Sequence, residues 1–246
     1  MKFVALISGG KDSIFNIVKC IELGHELCCV ASLVSADAVE VDSYTFQTVG
    51  GNVLSALADC MGVPFISKPL IGSSINTEMN YTTTGGDEVE DLFQLLSTVK
   101  DRYPDVEGVS AGALFSEYQR NRVNHVCARL GLSGLYPIWG TKQSLLVESM
   151  ISHGMEIMLI KTASMGLKRK HVGQLLSDVL PHLLHLEEMG VNVAGEGGEY
   201  ESLVLYCPGL FKKRLVVDNY DVVVHSECDF APVVYLKVNR FHVEDV

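Results

Sequence analysis

Ser8-Gly9-Gly10-Lys11-Asp12-Ser13 is the string in this chain best suited to chemistry. It directly follows the apolar run Phe3–Ile7, so a short buried strand should enter a Gly-rich turn and then a helix. That arrangement holds phosphate. Glycine lets the backbone come close to an anion, and the first turn of a helix presents unpaired N–H groups with partial positive charge. Lys11 falls at the same helix start, where a cation opposes the macrodipole, and an anion bound beside it would resolve the conflict. The spelling excludes two other phosphate loops. Ala5 stands where Gly-x-x-x-x-Gly-Lys-Ser/Thr needs its first glycine, Asp12 follows the lysine, and the string is not Gly-x-Gly-x-x-Gly.

A second string, Gly195-Glu196-Gly197-Gly198-Glu199-Tyr200-Glu201, interleaves carboxylates with glycines. If Glu199 begins a strand, Glu199 and Glu201 share one face and Tyr200 takes the other. Such a pocket suits Mg²⁺, ammonium or a quaternary ammonium group, and a solvated Gly-rich turn has the same composition. A third string, Ser116-Glu117-Tyr118-Gln119-Arg120-Asn121-Arg122, opens a helix. Ser116 and Gln119 have capping-box spacing, and Val123, Val126, Cys127 and Leu130 mark the buried face. Gln119 and Arg120 then fall at the margins of that face, with Arg122 further round. Arg120 is the stronger candidate for a phosphate or carboxylate contact, although a structural arginine has the same signature. Asp42–Gln47 is polar, aromatic and long enough to fold over a nucleotide. Trp139 reads as junction core. His25, His153, His182 and His185 show no metal-ligand spacing and read as surface or satisfied core residues.

These strings need elements to position them. Strands are expected at Phe3–Ile7, Leu27–Leu33, Val63–Ser67 and Val106–Ser110, and helices at Ile14–Leu23, Gly51–Met61, Asp87–Tyr103 and Ser116–Leu130. Gly24, Gly62, Pro104 and Gly131 stop the helices. The alternation predicts an α/β fold with a doubly wound parallel sheet, whose ligands bind beyond the carboxyl ends of its strands. Both Ser8–Ser13 and Ala111–Glu117 lie at such ends. The second half changes character: a strand at Glu156–Lys161, a helix at His171–Met189, then strands at Ser202–Tyr206, Arg214–His225 and Val233–Val238. Asp218-Asn219 is read as a turn within the second of these. This predicts a nucleotide-binding domain over 1–140 and a smaller α+β domain over 141–246, packed to leave a cleft.

Composition bounds the function. The 246 residues are 48% hydrophobic and 20% charged, a globular balance. A formal net charge of -11 argues against nucleic-acid or anionic-membrane binding, and the basic clusters Lys168–His171 and Lys212–Arg214 read as solvated surface. The seven cysteines form no C-x-x-C pair, which fits a reducing, cytoplasmic setting without a zinc site or disulfide framework. The N-terminal apolar run is too short for a signal peptide, and no stretch of about 18 apolar residues exists for a membrane span.

The loop S-G-G-K-D-S resembles the pyrophosphate-binding loop of the N-type ATP pyrophosphatases, which implies cleavage of ATP to AMP and pyrophosphate. With D-S-Y-x-F-Q-T-V, S-E-Y-Q-R-x-R-V and G-E-G-G-E-Y-E, the whole chain resembles the diphthine–ammonia ligases. Thr45 and Asn124 depart from that pattern, where Met and Glu are usual. The resemblance implies a HUP-type sheet, a smaller C-terminal domain and the last step of diphthamide synthesis on translation elongation factor 2. Carried over, Ser8, Gly9, Gly10, Lys11, Asp12 and Ser13 hold the ATP phosphates; Arg120 is a further candidate from its place in the first turn of its helix. Glu196, Gly197, Gly198, Glu199 and Glu201 form the diphthine or ammonia site, beside Ser116, Tyr118 and Gln119. Lys11, Asp12 and Glu199 are the catalytic candidates, and Asp12 either holds Mg²⁺ or caps its helix. The chain shows no glutaminase part, so free ammonium is the expected nitrogen source. A tRNA-modifying ATP pyrophosphatase or a non-catalytic nucleotide-binding module is the alternative. The first would want a basic groove and a cysteine pair; the second has no use for an acidic Gly-rich string.

Overall fold

A computed structural model describes residues 1–35, 53–226, 228 and 230–246. The first half runs β1 (Lys2–Leu6), α1 (Lys11–Glu22), β2 (Glu26–Ser35), α2 (Leu54–Met61), β3 (Phe65–Leu70), α3 (Glu88–Arg102), β4 (Val106–Ser110), α4 (Glu117–Leu130) and β5 (Ser133–Leu135). The strands form a parallel sheet in the order β3-β2-β1-β4-β5. Winding proceeds outward from β1 to β3, then returns to the other side of β1, so the order reverses between β1 and β4. Ligands bind at such a reversal, outside the carboxyl ends of the strands. Phe3, Val4 and Ala5 are wholly buried because helices cover both sheet faces.

The second half runs α5 (Gln143–Ser152), β6 (Glu156–Thr162), α6 (Leu176–Glu187), β7 (Tyr200–Tyr206), β8 (Lys213–Ser226) and β9 (Val233–Asp245). Its strands form an antiparallel sheet ordered β7-β6-β9-β8. The two sheets share α1 and α2. Ile14, Ile17, Leu54 and Leu57 on these helices belong to one core with Leu159, Leu203 and Leu215 of the antiparallel sheet. On the other face of the parallel sheet, α3 and α4 bury Leu92, Leu95, Val123 and Val126 in a separate core with Val4, Ala31 and Val109. Each fully buried aliphatic side chain of this kind contributes about 1.5–3 kcal/mol. The layers therefore run antiparallel sheet, α1 and α2, parallel sheet, α3 and α4.

The expected parallel-sheet elements are present, with shifted ends. Helices α2 and α4 stop at Gly62 and Gly131, whose φ values of 67° and 64° are left-handed. The start of the expected Gly51–Met61 helix falls partly outside the described residues. Two elements went unread: β5, with its three residues, and α5, which has apolar residues on more than one side. Two readings need correction. Asp218-Asn219 is not a turn; β8 runs through it, paired to β9, with register shifts on either side of Asn219. Helix α6 starts at Leu176 rather than His171, because Arg169–His171 is a 3-10 turn and Gly173 follows at φ +87°. There the Gly173 N–H donates to the Leu159 carbonyl of β6 and the Leu159 N–H to Gln174.

One buried amide ties α1 to the sheet. Asn16 is fully buried; its Nδ2 donates to Ser110 Oγ at 2.8 Å and to the Leu135 carbonyl at 3.0 Å. Its Oδ1 accepts from the Ile138 N–H at 3.4 Å. Asn16→Ala strands these groups without water and should cost about 1–3 kcal/mol. Urea unfolding will show this as a lower midpoint at unchanged slope.

Candidate active site

The turn after β1 is held by its own serines. The Ser8 N–H donates to Ser13 Oγ at 3.4 Å, the Gly10 N–H to Ser8 Oγ at 3.3 Å, and Ser13 Oγ to the Gly10 carbonyl at 2.9 Å. Gly9 takes φ +82°, and a Cβ there would lie 3.3 Å from Leu203 and Leu57 side-chain carbons. Gly10 is the N-cap of α1 and supplies no side-chain cap. Gly112, in the loop after β4, approaches so closely that a Cβ would sit 2.5 Å from the Ser13 nitrogen. Two backbones thus meet at the first turn of α1, and only glycine allows it.

Lys11 does not project into solvent. It is 3% exposed, and its Nζ donates to Asp12 Oδ2 at 2.8 Å and to the Ala194 carbonyl at 2.5 Å. The same nitrogen lies 5.1 Å from the centre of the Tyr200 ring, whose hydroxyl donates to the Val193 carbonyl at 2.8 Å. The Lys11 backbone N–H donates to Ser202 Oγ at 3.2 Å, and the Val204 N–H to the Gly9 carbonyl at 2.9 Å. The phosphate-type loop and the acidic string are therefore in direct contact, although more than 180 positions apart.

Between them lies a cavity of about 380 Å³, within the range of small-molecule sites. Ser8, Gly10, Lys11, Asp12 and Ser13 line one side, Gly195, Glu196, Gly198, Tyr200, Glu201 and Ser202 the opposite side, and Ala111, Gly112, Ala113 and Gln119 a third. Gly9, Gly197 and Glu199 do not line it. Glu199 lies just before β7, and its carboxylate accepts from the Asn192 N–H at 3.1 Å and the Gly197 N–H at 2.8 Å, which fastens the loop on itself. Glu201 pairs with Lys161 at 3.1 Å.

The α4 string divides between cavity and scaffold. Ser116 caps α4 by accepting from the Gln119 N–H at 3.3 Å. The Tyr118 ring lies 3.1 Å beneath the fully buried Arg122 guanidinium, which donates to the carbonyls of Tyr118, Asn76 and Glu78. Arg122 thus latches the segment before α3 to α4. Arg120 does not line the cavity; its guanidinium carbon lies 4.5 Å from the Trp139 ring centre and 5.4 Å from that of Tyr136. Asp42–Gln47 lies outside the described residues.

The sequence has counterparts in known proteins. Residues 1–134 match the diphthamide synthase N-terminal domain and residues 142–237 the diphthamide synthase C-terminal domain. The chain belongs to the diphthamide synthase family. Its relatives named diphthine–ammonia ligase include one from Danio rerio, 46% identical over 250 residues that span 100% of this chain and 97% of that one. The Homo sapiens relative is 45% identical over 251 residues, 100% of this chain and 93% of its own. The Schizosaccharomyces pombe relative is 45% identical over 97% of this chain but only 39% of its own length. Among solved structures, a predicted subunit of tRNA methyltransferase from Methanocaldococcus jannaschii overlaps 85% of this chain and 99% of its own. Its TM-score of 0.38 and 14% identity carry no argument.

Membership of the diphthamide synthase family directs attention to charge in the cavity. Among the described residues no three His, Cys, Asp or Glu side chains cluster as a metal site. Asp12 Oδ1 is nevertheless buried at the cavity without a hydrogen-bond partner, which suits a cation ligand. Burial works to lower the Lys11 pKa, but the Asp12 carboxylate, with Tyr200 and Glu196, outweighs it and keeps the ammonium charged. Burial, reinforced by the charge of Asp12, pushes the Glu196 carboxyl up to about 7, against the pull of Lys11 and of a hydrogen bond from the Phe115 N–H. Because that value exceeds the 4.5 of the free side chain, the folded protein holds this proton more tightly than the unfolded chain. The associated stability is fully present below about 4.5 and is lost as pH rises through about 7. Melting curves without nucleotide or divalent cation should show that decline. Glu196→Gln should flatten it and melt higher than the parent at alkaline pH.

Proposed function

We propose that this protein amidates the diphthine carboxylate of translation elongation factor 2, consuming ATP and ammonium and releasing AMP and pyrophosphate. The observation that carries the reading is the contact of Lys11 with Ala194 and Tyr200 across one cavity. It joins a phosphate-type loop to an acidic wall, as a ligase that must bring an activated carboxylate to ammonia requires. Family membership and the names of the full-length relatives support the same reaction.

Residues 1–140 are assigned to ATP, and 141–246 contribute to the substrate site. The N–H groups at the start of α1, shaped by Ser8, Gly9, Gly10 and Ser13, receive the phosphates. A diphthine carboxylate oxygen attacks the α-phosphorus, and the bond to pyrophosphate breaks. Lys11, already fixed and charged, stabilises the departing anion without reorganising. Asp12 is the residue suited to hold Mg²⁺, which when bound supplies further positive charge to the phosphates. Ammonia then adds to the acyl carbon, AMP leaves with its bonding electron pair, and a proton is shed to give the amide.

Glu196 faces the cavity and is assigned to the cationic partner, either the trimethylammonium group of diphthine or ammonium. Glu199 acts through loop shape, by holding Asn192 and Gly197. Gly198 and Glu201 complete that wall, Gly197 supports it through its N–H to Glu199, and Gln119 faces it from α4. Ser116 and Tyr118 serve by fixing α4 and Arg122. The net charge of -11 argues against a nucleic-acid substrate. Cysteines left as free thiols fit the reducing cytoplasm, and among the described residues no helix is long and apolar enough to cross a membrane.

The assay combines protein, ATP, ammonium and diphthine-bearing elongation factor 2, with AMP and amide read separately. Both products should form together, and Lys11→Ala should slow both by about 10²–10³-fold. AMP released on addition of RNA, without amide, would favour a tRNA-modifying enzyme. Unchanged AMP formation in Lys11→Ala would sink the assigned mechanism.

A further inference from the structure

The substrate of the proposed reaction is a side chain on a folded protein, and a protein cannot enter a cavity of about 380 Å³. It must rest on the rim while one side chain reaches inward. One stretch of rim is built for contact. The loop between β4 and α4 delivers its Phe115 N–H to Glu196 inside the cavity, yet the Phe115 side chain is 44% exposed. The neighbouring Leu114 carbonyl accepts from the Gly140 N–H at 3.1 Å, which brings Trp139 alongside this loop. Arg120, one residue from the cavity-lining Gln119, lies over Trp139 and Tyr136. The Tyr136 hydroxyl is fixed by donation to Asn124 Oδ1 at 2.9 Å.

Arg120 is held by ring faces where its structured neighbours on the chain are held by oxygen atoms. Arg129 is matched to Glu90 at 2.9 Å and Arg214 to Glu156 at 2.8 Å, and Arg122 is consumed by backbone carbonyls. Among the described residues no carboxylate pairs with Arg120, which is held by ring faces alone. Contact with ring faces leaves its planar row of donors without a carboxylate among the described residues. A planar fork held in place in this way matches a carboxylate in bidentate fashion. Tryptophan, tyrosine and arginine are also the residue types that dominate protein–protein binding energy. A nucleic acid is the poorer occupant, since a chain of net charge -11 repels a polyanion as a whole while one arginine can take one carboxylate.

We propose that Phe115, Arg120 and Trp139 form the seat for the protein substrate at the cavity mouth, with Arg120 taking a carboxylate of that protein. This is a carboxylate other than the reacting one, and the proposal rests on the amidation reading above. It places Arg120 outside nucleotide binding.

The test measures KM for diphthine-bearing elongation factor 2 and KM for ATP separately, in the parent, Arg120→Ala, Arg120→Lys and Phe115→Ala. Arg120→Ala should raise KM for the protein substrate about tenfold, the loss of one charge-assisted hydrogen-bonded pair, with kcat recovered at saturation. Its KM for ATP should stay within about twofold of the parent, and raised salt should weaken the parent more than Arg120→Ala. Arg120→Lys should recover only part of the loss, since a point charge lacks the fork. Phe115→Ala should raise the same KM. Should Arg120→Ala melt below the assay temperature, Arg120→Lys carries the comparison. An unchanged KM for the protein, or a rise in KM for ATP in its place, overturns the seat. If the parent forms no amide, the amidation reading fails instead, and direct binding of the elongation factor to parent and Arg120→Ala still reads the seat.

Discussion

A single buried ammonium organises this molecule. Lys11 Nζ sits among Asp12, the Ala194 carbonyl and the face of Tyr200, none of which is adjacent to the others in a conventional helix-capping sense. Removing a cation from water is costly unless it is paired and hydrogen-bonded. Here the charge is compensated by one group from its own helix and two from the antiparallel half. The lysine that a sequence motif would assign to phosphate thus also anchors the wall opposite the phosphate loop. The two sides of the cavity are set relative to each other by the same atom.

The layer order makes that arrangement possible. Helices α1 and α2 pack between two sheets, so the N-terminus of α1 is pressed against β7 rather than left at an open edge. The glycines at 9 and 112 allow backbone to approach backbone where side chains would collide. Asn16 fixes the same helix from its other side through Ser110, Leu135 and Ile138. The Gly-rich turn is tightly held.

Much of this was legible from residues alone. Continuous apolar runs mark strands buried on both faces, and Gly62 and Gly131 end their helices as left-handed caps, so the parallel half could be read nearly element by element. A cleft between the two halves is legible from the change of character along the chain, whereas the lysine that joins Ser8–Ser13 to the acidic string is not. Individual roles within a motif were harder to read, because spacing does not say where a side chain's hydrogen bonds go. Glu199 and Glu201 look equivalent in the string, yet one fastens its own loop and the other pairs with Lys161. Arg120 and Arg122 stand two positions apart, and one lies over Trp139 while the other is wholly buried. Short or evenly apolar segments, β5 and α5, carried too little periodicity to be seen.

The sharing of α1 and α2 by both sheets has a further consequence, for dissection. Leu57 on α2 faces the antiparallel sheet's Leu203 near Gly9, so the parallel half taken alone would turn a helical layer meant for burial toward water. A chimera that grafted the parallel half onto another domain would need that domain to reproduce both the apolar surface and the carbonyl that receives Lys11. Sequence drift on either side of the seam is therefore constrained by the other. The two halves have to change as one heritable unit, even though each has a sheet of its own.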